Sequence, residues 1–308
     1  MEAFCFILGF WHNFGAAGSF KAMQAMVKCA FDRGINHFDL ANNYGPPPGS
    51  AEVNMGRLLA KELKAYRDEL IISTKAGYLM WEGPLGKGGS RKHLLSSLDQ
   101  SLKRLGLDYV DIFYHHCPDL ETPIEESMGA LASAVQSGKA LYAGVSNYRA
   151  DKAEKAFTML REMGVPCVIN QPNYNLFDRW IETDLLPLAE ECGVGTIVYS
   201  PLAQGLLSGR YLKGIPEDSR AADPRSLFLK PEHVQGNMIR IKALHAIAQT
   251  RGQSLAQMAV TWILQKKSVS SALIGASSAG QIAHLADGLN AASFTDEELH
   301  AIDAACQC

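Results

Sequence analysis

Four kinds of side chain with complementary proton chemistry stand just after β-rich runs of this chain. Asp39 and Tyr44 lie in N-H-F-D-L-A-N-N-Y-G, Lys75 closes I-I-S-T-K, and His115 and His116 close L-D-Y-V-D-I-F-Y-H-H. A phenol with its ordinary pKa of about 10 exchanges protons poorly at neutral pH. A nearby ammonium favours the phenolate and lowers that value, and a carboxylate keeps the ammonium charged and oriented. Such a tyrosine can give a proton to a carbonyl oxygen or take one back from an alcohol, with an imidazole orienting the oxygen. Each residue also has a structural reading: a packed tyrosine, a Lys75–Asp39 ion pair, a hydrogen-bonded core histidine. Their joint occurrence at separate strand ends favours the site.

The elements that must position them alternate along the whole chain. Strands are expected at Phe4–Gly9, Asn36–Leu40, Leu70–Thr74, Tyr109–Tyr114, Ala140–Val145, Cys167–Asn170, Gly195–Tyr199 and Ser271–Ile274. Helical patterns fill the intervals: Gly18–Arg33, Ser50–Leu63, Ser90–Leu105, Pro123–Ser137, Ala150–Met163 and Trp180–Cys192. Pro231–Arg251, Ser254–Lys266, Ala279–Asn290 and Asp296–Ala305 follow. Ser90 reads as a helix cap, Pro123 as a first helical residue, and Thr295 with Glu298 as a capping box. Eight strand–helix units predict one (α/β)8 TIM barrel domain spanning 1–308, whose active face is the C-terminal ends of the strands. An open doubly wound sheet would instead require a G-x-G-x-x-G turn after the first strand; W-H-N-F-G-A-A-G stands there. The Gly-, Pro- and Arg-rich stretch at about 201–235 is long for a loop and is expected to cover a ligand.

Composition narrows the partners. With 308 residues and 47% hydrophobic content the chain can bury a large core, and a net charge of −3 offers no attraction to nucleic acid or anionic membrane. The run Ala3–Trp11 lacks a basic flank and is far shorter than the roughly 20 residues a membrane helix needs. Seven scattered cysteines without a C-x-x-C fit reduced thiols in a cytoplasmic protein. Cys306 and Cys308 read as a frayed tail rather than a metal site, and Cys117 as an inert thiol. No metal is expected.

The motifs G-I-N-H-F-D-L-A-N-N-Y-G, I-I-S-T-K, L-D-Y-V-D-I-F-Y-H-H, G-V-S-N-Y, N-Q-P-N-Y-N and Y-S-P-L-A-Q-G-L-L-S-G-R-Y resemble the aldo-keto reductase superfamily over nearly the whole chain. N-N-Y-G-P-P-P-G-S-A-E is most similar to the branch of bacterial L-glyceraldehyde 3-phosphate reductases and potassium channel β-subunits. The resemblance implies a tetrad of Asp39, Tyr44, Lys75 and His116, with Tyr44 as general acid and His116 orienting the carbonyl. It also implies NADPH/NADP+ at the barrel mouth. Ser146, Asn147 and Gln171 would meet the nicotinamide amide, beside Asp39 and Trp11, with Tyr199 stacked on the ring. Ser200, Leu202, Gln204, Gly205 and Leu206 would follow the pyrophosphate, with Arg210 near a phosphate or simply solvated. Gly275, Ser277, Ser278 and Gln281 would take the 2′-phosphate.

Two departures from that pattern matter. Ser278 stands where relatives carry arginine, and Leu285 where they carry asparagine, which weakens the case for NADP over NAD. The family's N-terminal β-hairpin has no room before a strand near Phe4. Trp11, Tyr44, Tyr78, Trp81, His116 and Tyr148 are expected to wall the substrate pocket, although Trp81 and Tyr148 also read as surface aromatics. The function expected is NADPH-dependent reduction of small aldehydes such as L-glyceraldehyde 3-phosphate and methylglyoxal, by a possible homo-oligomer. A slow-turnover NADPH-binding regulator is the alternative, and a Schiff-base lyase using Lys75 is disfavoured by Tyr44.

Overall fold

A computed structural model describes residues 6–224, 226 and 228–307. These group into two compact units. The first holds the described residues up to Pro172, with Ile181–Tyr199 and Ser268–Ile282; the second holds Asn173–Trp180, Ser200–Lys267 and the described residues from Ala283 onward.

The first unit contains a closed barrel of eight parallel strands in chain order. They are β1 (Phe6–Gly9), β2 (His37–Asp39), β3 (Ile71–Ala76), β4 (Val110–His115), β5 (Ala140–Ser146), β6 (Cys167–Gln171), β7 (Gly195–Val198) and β8 (Ser271–Ile274). β1, β3 and β4 are nearly continuous runs of buried residues, as a sheet covered by helices requires. The expected TIM barrel is therefore what forms. The described residues begin at Phe6, the first residue of β1, so the expected absence of the hairpin and the Phe4 start, like Cys308, lie outside them.

Register decides which side chains meet. Asp39 pairs with Ser73 across β2 and β3, and Lys75 pairs with Tyr114 across β3 and β4. Side chains alternate along a strand, so His37 and Asp39 share a face of β2, and Ser73 and Lys75 share a face of β3. On β5 a glycine is required: a Cβ at Gly144 would stand 2.6 Å from the Tyr114 ring. That clearance seats Tyr114 with its ring centroid 5.5 Å from the Lys75 ammonium.

The helices of this unit are α1 (Phe20–Asp32), α2 (Ser50–Lys61), α3 (Arg91–Leu105), α4 (Ile124–Gln136), α5 (Ala150–Glu162) and α6 (Leu185–Cys192). Ser90 caps α3 by accepting from the His93 amide, as expected. Pro123 stands one place earlier than read, at the cap of α4. The expected Trp180–Cys192 helix shortens to α6. Pro187 has no N–H to return to the carbonyl of Thr183, so the α-helix cannot extend back through that residue.

In the second unit, α7 (Pro231–Gly236) and α8 (Met238–Thr250) replace one expected helix. The chain breaks at Asn237, whose amide donates back to the His233 carbonyl at 2.8 Å. This unit also holds α9 (Leu255–Leu264) and α11 (Asp296–Gln307), and α10 (Ala279–Asp287) runs from residues of the first unit into it. The Thr295–Glu298 capping box forms, with reciprocal bonds of 2.8 and 3.2 Å. The stretch at 201–235 contains a 3-10 turn over Ala203–Ser208 before α7. Among the described residues no helix is long and apolar enough to cross a membrane.

Candidate active site

Asp39 and Lys75 are completely buried in the barrel and bonded to each other, Lys75 Nζ to Asp39 Oδ2. Lys75 also donates to the Leu40 carbonyl at 2.8 Å. Its ammonium lies 5.2 Å from the centroid of the Tyr44 ring. His116 completes the group, its ring centroid 5.7 Å from that of Tyr44 at an interplanar angle of 71°. The four residues proposed for the tetrad therefore come together at the C-terminal ends of β2, β3 and β4.

The loop that carries Tyr44 is tightly held. The Tyr44 amide donates to the Ala41 carbonyl at 3.0 Å, and Ala16 donates to the Pro46 carbonyl at 2.9 Å. Ser50 closes the turn by donating to the Pro47 carbonyl at 2.6 Å. A Cβ at Gly45 would stand 2.0 Å from the Pro47 oxygen, so only glycine fits.

Electrostatics set the protonation states. Burial draws Lys75 below the ordinary lysine value, while the Asp39 charge and hydrogen bond, and then Glu52, support the ammonium. Burial also raises the Tyr44 phenol well above its ordinary value, followed by Asp39, Tyr199 and Tyr78. Tyr44 keeps part of its surface open, yet burial and the Asp39 charge are the largest influences on it. This is opposite to the lowering expected from the lysine alone, and it keeps the phenol protonated. Burial, then Lys75 and His115, hold His116 well below the ordinary histidine value, so its ring is neutral. Its Nδ1 is buried without a hydrogen-bond partner.

A second network joins the ends of β5, β6 and β7. The Tyr199 hydroxyl donates to Asn147 Oδ1 at 2.8 Å, and Asn147 Nδ2 donates to the His116 carbonyl at 3.0 Å and to Ser146 Oγ at 3.2 Å. Ser146 Oγ donates to the Gln171 carbonyl at 2.8 Å, and Gln171 Nε2 donates to Asp39 Oδ1 at 3.2 Å. Asn147 holds a left-handed φ of 62°, a conformation that recurs at functional sites. This cluster of amides and hydroxyls beside the tetrad suits a nicotinamide carboxamide, which needs both a donor and an acceptor.

The other candidates are spread more widely. Ser277 and Gln281 satisfy each other at the exposed head of α10, where the Ser277 amide donates to Gln281 Oε1 at 2.8 Å. Ser278 accepts from the Gln281 amide at 3.3 Å, and Gly275 is exposed. In the second unit Ser200, Gln204 and Gly205 adopt left-handed φ values of 55°, 60° and 103°. Gln204 donates to Ser200 Oγ at 3.0 Å. Leu202 is half-buried and Leu206 buried. Arg210 is exposed and paired with Asp218 at 2.6 Å. Arg220, absent from the sequence reading, is the more buried guanidinium and donates to Gln204.

Among the aromatic wall candidates, Tyr78 has its ring centroid 4.6 Å from that of His116. Trp81 packs at 5.0 Å on His93, and half-buried Trp11 at 3.9 Å on His12. Tyr148 requires correction: it is neither open wall nor surface aromatic. It is buried, with its hydroxyl 2.7 Å from His115 Nδ1. Cys117 is held as a neutral thiol, pushed up to about 11 by burial. Among the described residues no group of acidic, histidine and cysteine side chains could hold a metal.

Sequence reasoning passed over the residues that hold the ion pair. Ser73 donates to Asp39 Oδ1 at 2.8 Å, and His37 Nε2 lies 2.9 Å from Ser73 Oγ. Glu52, wholly buried, accepts from Thr74 and from Arg104, each at 2.6 Å. The two-residue alternation of a strand was the available signal for Ser73 and His37.

Comparison with known proteins identifies the family. The model of the aldo/keto reductase family matches residues 6–307. Over 300 residues the chain is 55% identical to L-glyceraldehyde 3-phosphate reductase of Escherichia coli (strain K12), covering 96% of this chain and 87% of that one. It is 38% identical over 280 residues to a probable voltage-gated potassium channel subunit beta of Oryza sativa subsp. japonica, covering 89% and 84%. The glycerol dehydrogenase structure from Gluconobacter oxydans superposes with a TM-score of 0.80 at 31% identity, covering 97% of this chain and 90% of that one. The chain belongs to the aldo/keto reductase family, and is an oxidoreductase built on an eight-stranded α/β barrel.

Proposed function

We propose that the chain reduces small aldehydes to alcohols with NADPH, and that Tyr44 is the general acid. The observation that carries the reading is the buried Asp39–Lys75 pair beside the Tyr44 ring, with the neutral His116 ring centroid 5.7 Å from that of Tyr44. When bound, the cofactor supplies a hydride to the carbonyl carbon. His116 orients the carbonyl oxygen, and Tyr44 gives that oxygen its proton. The tyrosinate left behind is stabilised by the Lys75 ammonium, which Asp39 holds in place. A phenol kept protonated by its surroundings starts this cycle in the correct state.

Ser146, Asn147 and Gln171 would hold the carboxamide, with Tyr199 against the ring and Trp11 nearby. Gly275, Ser277, Ser278 and Gln281 would take the 2′-phosphate. In the second unit, Ser200–Arg210 is the candidate for phosphate contact, with Leu202, Gln204, Gly205 and Leu206 supplying backbone. Short aldehydes such as L-glyceraldehyde 3-phosphate and methylglyoxal are the proposed substrates, supported by the name of the 55% identical relative. The scattered cysteines support a cytoplasmic setting.

The similarity to the channel subunit supports a second reading, an NADPH-binding regulator with slow turnover. NADPH oxidation with methylglyoxal, measured for wild type and Tyr44→Phe alongside NADPH binding by fluorescence, separates the two. Turnover that falls about 10²- to 10⁴-fold in the variant supports the acid role. NADPH binding without turnover of any short aldehyde favours the regulator. Full activity in Tyr44→Phe removes Tyr44 from the mechanism.

A further inference from the structure

We infer that Ser73, held by His37, is a positioning residue that sets the catalytic ion pair through Asp39; the inference rests on the proposed tetrad. Three observations carry it. Ser73 faces Asp39 in the register of β2 and β3, and its Oγ donates to Asp39 Oδ1 at 2.8 Å. His37 Nε2 lies 2.9 Å from the same oxygen. All of these groups are buried, His37 at 4% exposure and Ser73 and Asp39 at zero.

The direction of each bond follows from counting protons. Ser73 has one proton, and the ionised carboxylate of Asp39 can only accept, so that proton goes to Asp39. Ser73 Oγ must then accept from His37, which places the His37 proton on Nε2. Burial, the largest influence on His37, lowers it to about 4, so the ring is neutral at physiological pH and this tautomer is available. The result is a directed chain, His37 to Ser73 to Asp39, meeting the Lys75 bond on the other carboxylate oxygen. Gln171 shares Oδ1 with Ser73 at a longer 3.2 Å.

The function of the chain is to disperse the Asp39 charge. Every donor on Oδ1 reduces the negative charge felt by Lys75 and by the Tyr44 phenol, both of which respond to Asp39. Without Ser73 the carboxylate holds the ammonium more tightly and raises the phenol further, making it a weaker acid. The other ionisable groups facing the pair and the phenol are His37, Glu52, Tyr78, Tyr114, His116 and Tyr199. Ser73 and Gln171 are the donors described on Oδ1.

The test compares wild type, Ser73→Ala, Ser73→Thr and Ser97→Ala, the last removing another buried hydroxyl, on α3, whose oxygen has no partner. With NADPH and methylglyoxal, Ser73→Ala should lose about ten- to a hundredfold in kcat with KM changed less than about threefold. Its basic limb in kcat/KM should move to higher pH, Ser73→Thr should recover most of the rate, and Ser97→Ala should match wild type. Ser73→Ala within about twofold of wild type in kcat, while Tyr44→Phe is inactive, overturns the inference and leaves the tetrad standing. If Tyr44→Phe is active, the tetrad fails, and the inference is read from the 15Nζ resonance of Lys75. In Ser73→Ala its titration should move upward; an unmoved titration overturns the positioning role.

Discussion

Gln171 Nε2 donates to Asp39 Oδ1 across 3.2 Å, joining residues that stand 132 positions apart in the chain. The carboxylate that orients Lys75 is thus also held from β6, by a residue proposed to meet the cofactor. Gln171→Leu keeps the approximate volume and removes both amide groups. It should weaken NADPH binding and lower kcat together, each by about tenfold. Fluorescence titration and steady-state kinetics check this; a change in cofactor affinity alone would mean that the Asp39 contact is idle.

Lys75→Met leaves a buried carboxylate without its cation. Loss of one partner from a buried pair costs about 3–5 kcal/mol, and turnover should fall at least a hundredfold because the tyrosinate loses its counter-charge. Adding Asp39→Asn should recover much of the stability and none of the turnover. Urea unfolding midpoints with parallel activity measurements read both halves.

Stability should fall on acidification through the histidine range. Burial lowers both His37 and His115 from their ordinary value of 6.5 to about 4. Below the unfolded value the unfolded chain binds protons that the folded chain refuses, so stability is full above pH 6.5 and declines towards pH 4. Each histidine contributes on the order of 3 kcal/mol across that window. Unfolding midpoints between pH 7 and pH 4.5 should decline, and the decline should shrink in His115→Asn.

Gly45→Ala should displace the loop that aims Tyr44. The new Cβ would meet the Pro47 oxygen at 2.0 Å and Ser50 Oγ at 2.7 Å. The expected cost is about 1–3 kcal/mol of stability, with kcat reduced more than cofactor affinity. Thermal unfolding and NADPH titration of the purified variant distinguish this from a neutral change.

Ser278→Arg should add a charged contact for the 2′-phosphate at the exposed head of α10. NADPH affinity should rise by about tenfold or more, while NADH affinity stays level. Equal effects on both cofactors would place the 2′-phosphate elsewhere.

Much of this protein was legible in its residue order. The alternation of strand and helix patterns already implied the barrel, because short β-rich runs alternate with longer amphipathic ones from end to end. Asp39, Tyr44, Lys75 and the pair His115–His116 could be picked out because active residues of a barrel stand where strands end, and the family resemblance singled out His116. Pro187 even marks why α6 starts late. Contacts across strands were not legible, since they depend on register. Register sets Ser73 opposite Asp39, and barrel closure brings Gln171 onto the same carboxylate. Burial was decided only in three dimensions as well. It turns the Tyr44 phenol upward against the pull of Lys75, and it takes Tyr148 from a presumed wall into a bond with His115. A sequence states which groups are present. Their protonation and pairing follow from how much water the folded chain leaves around them.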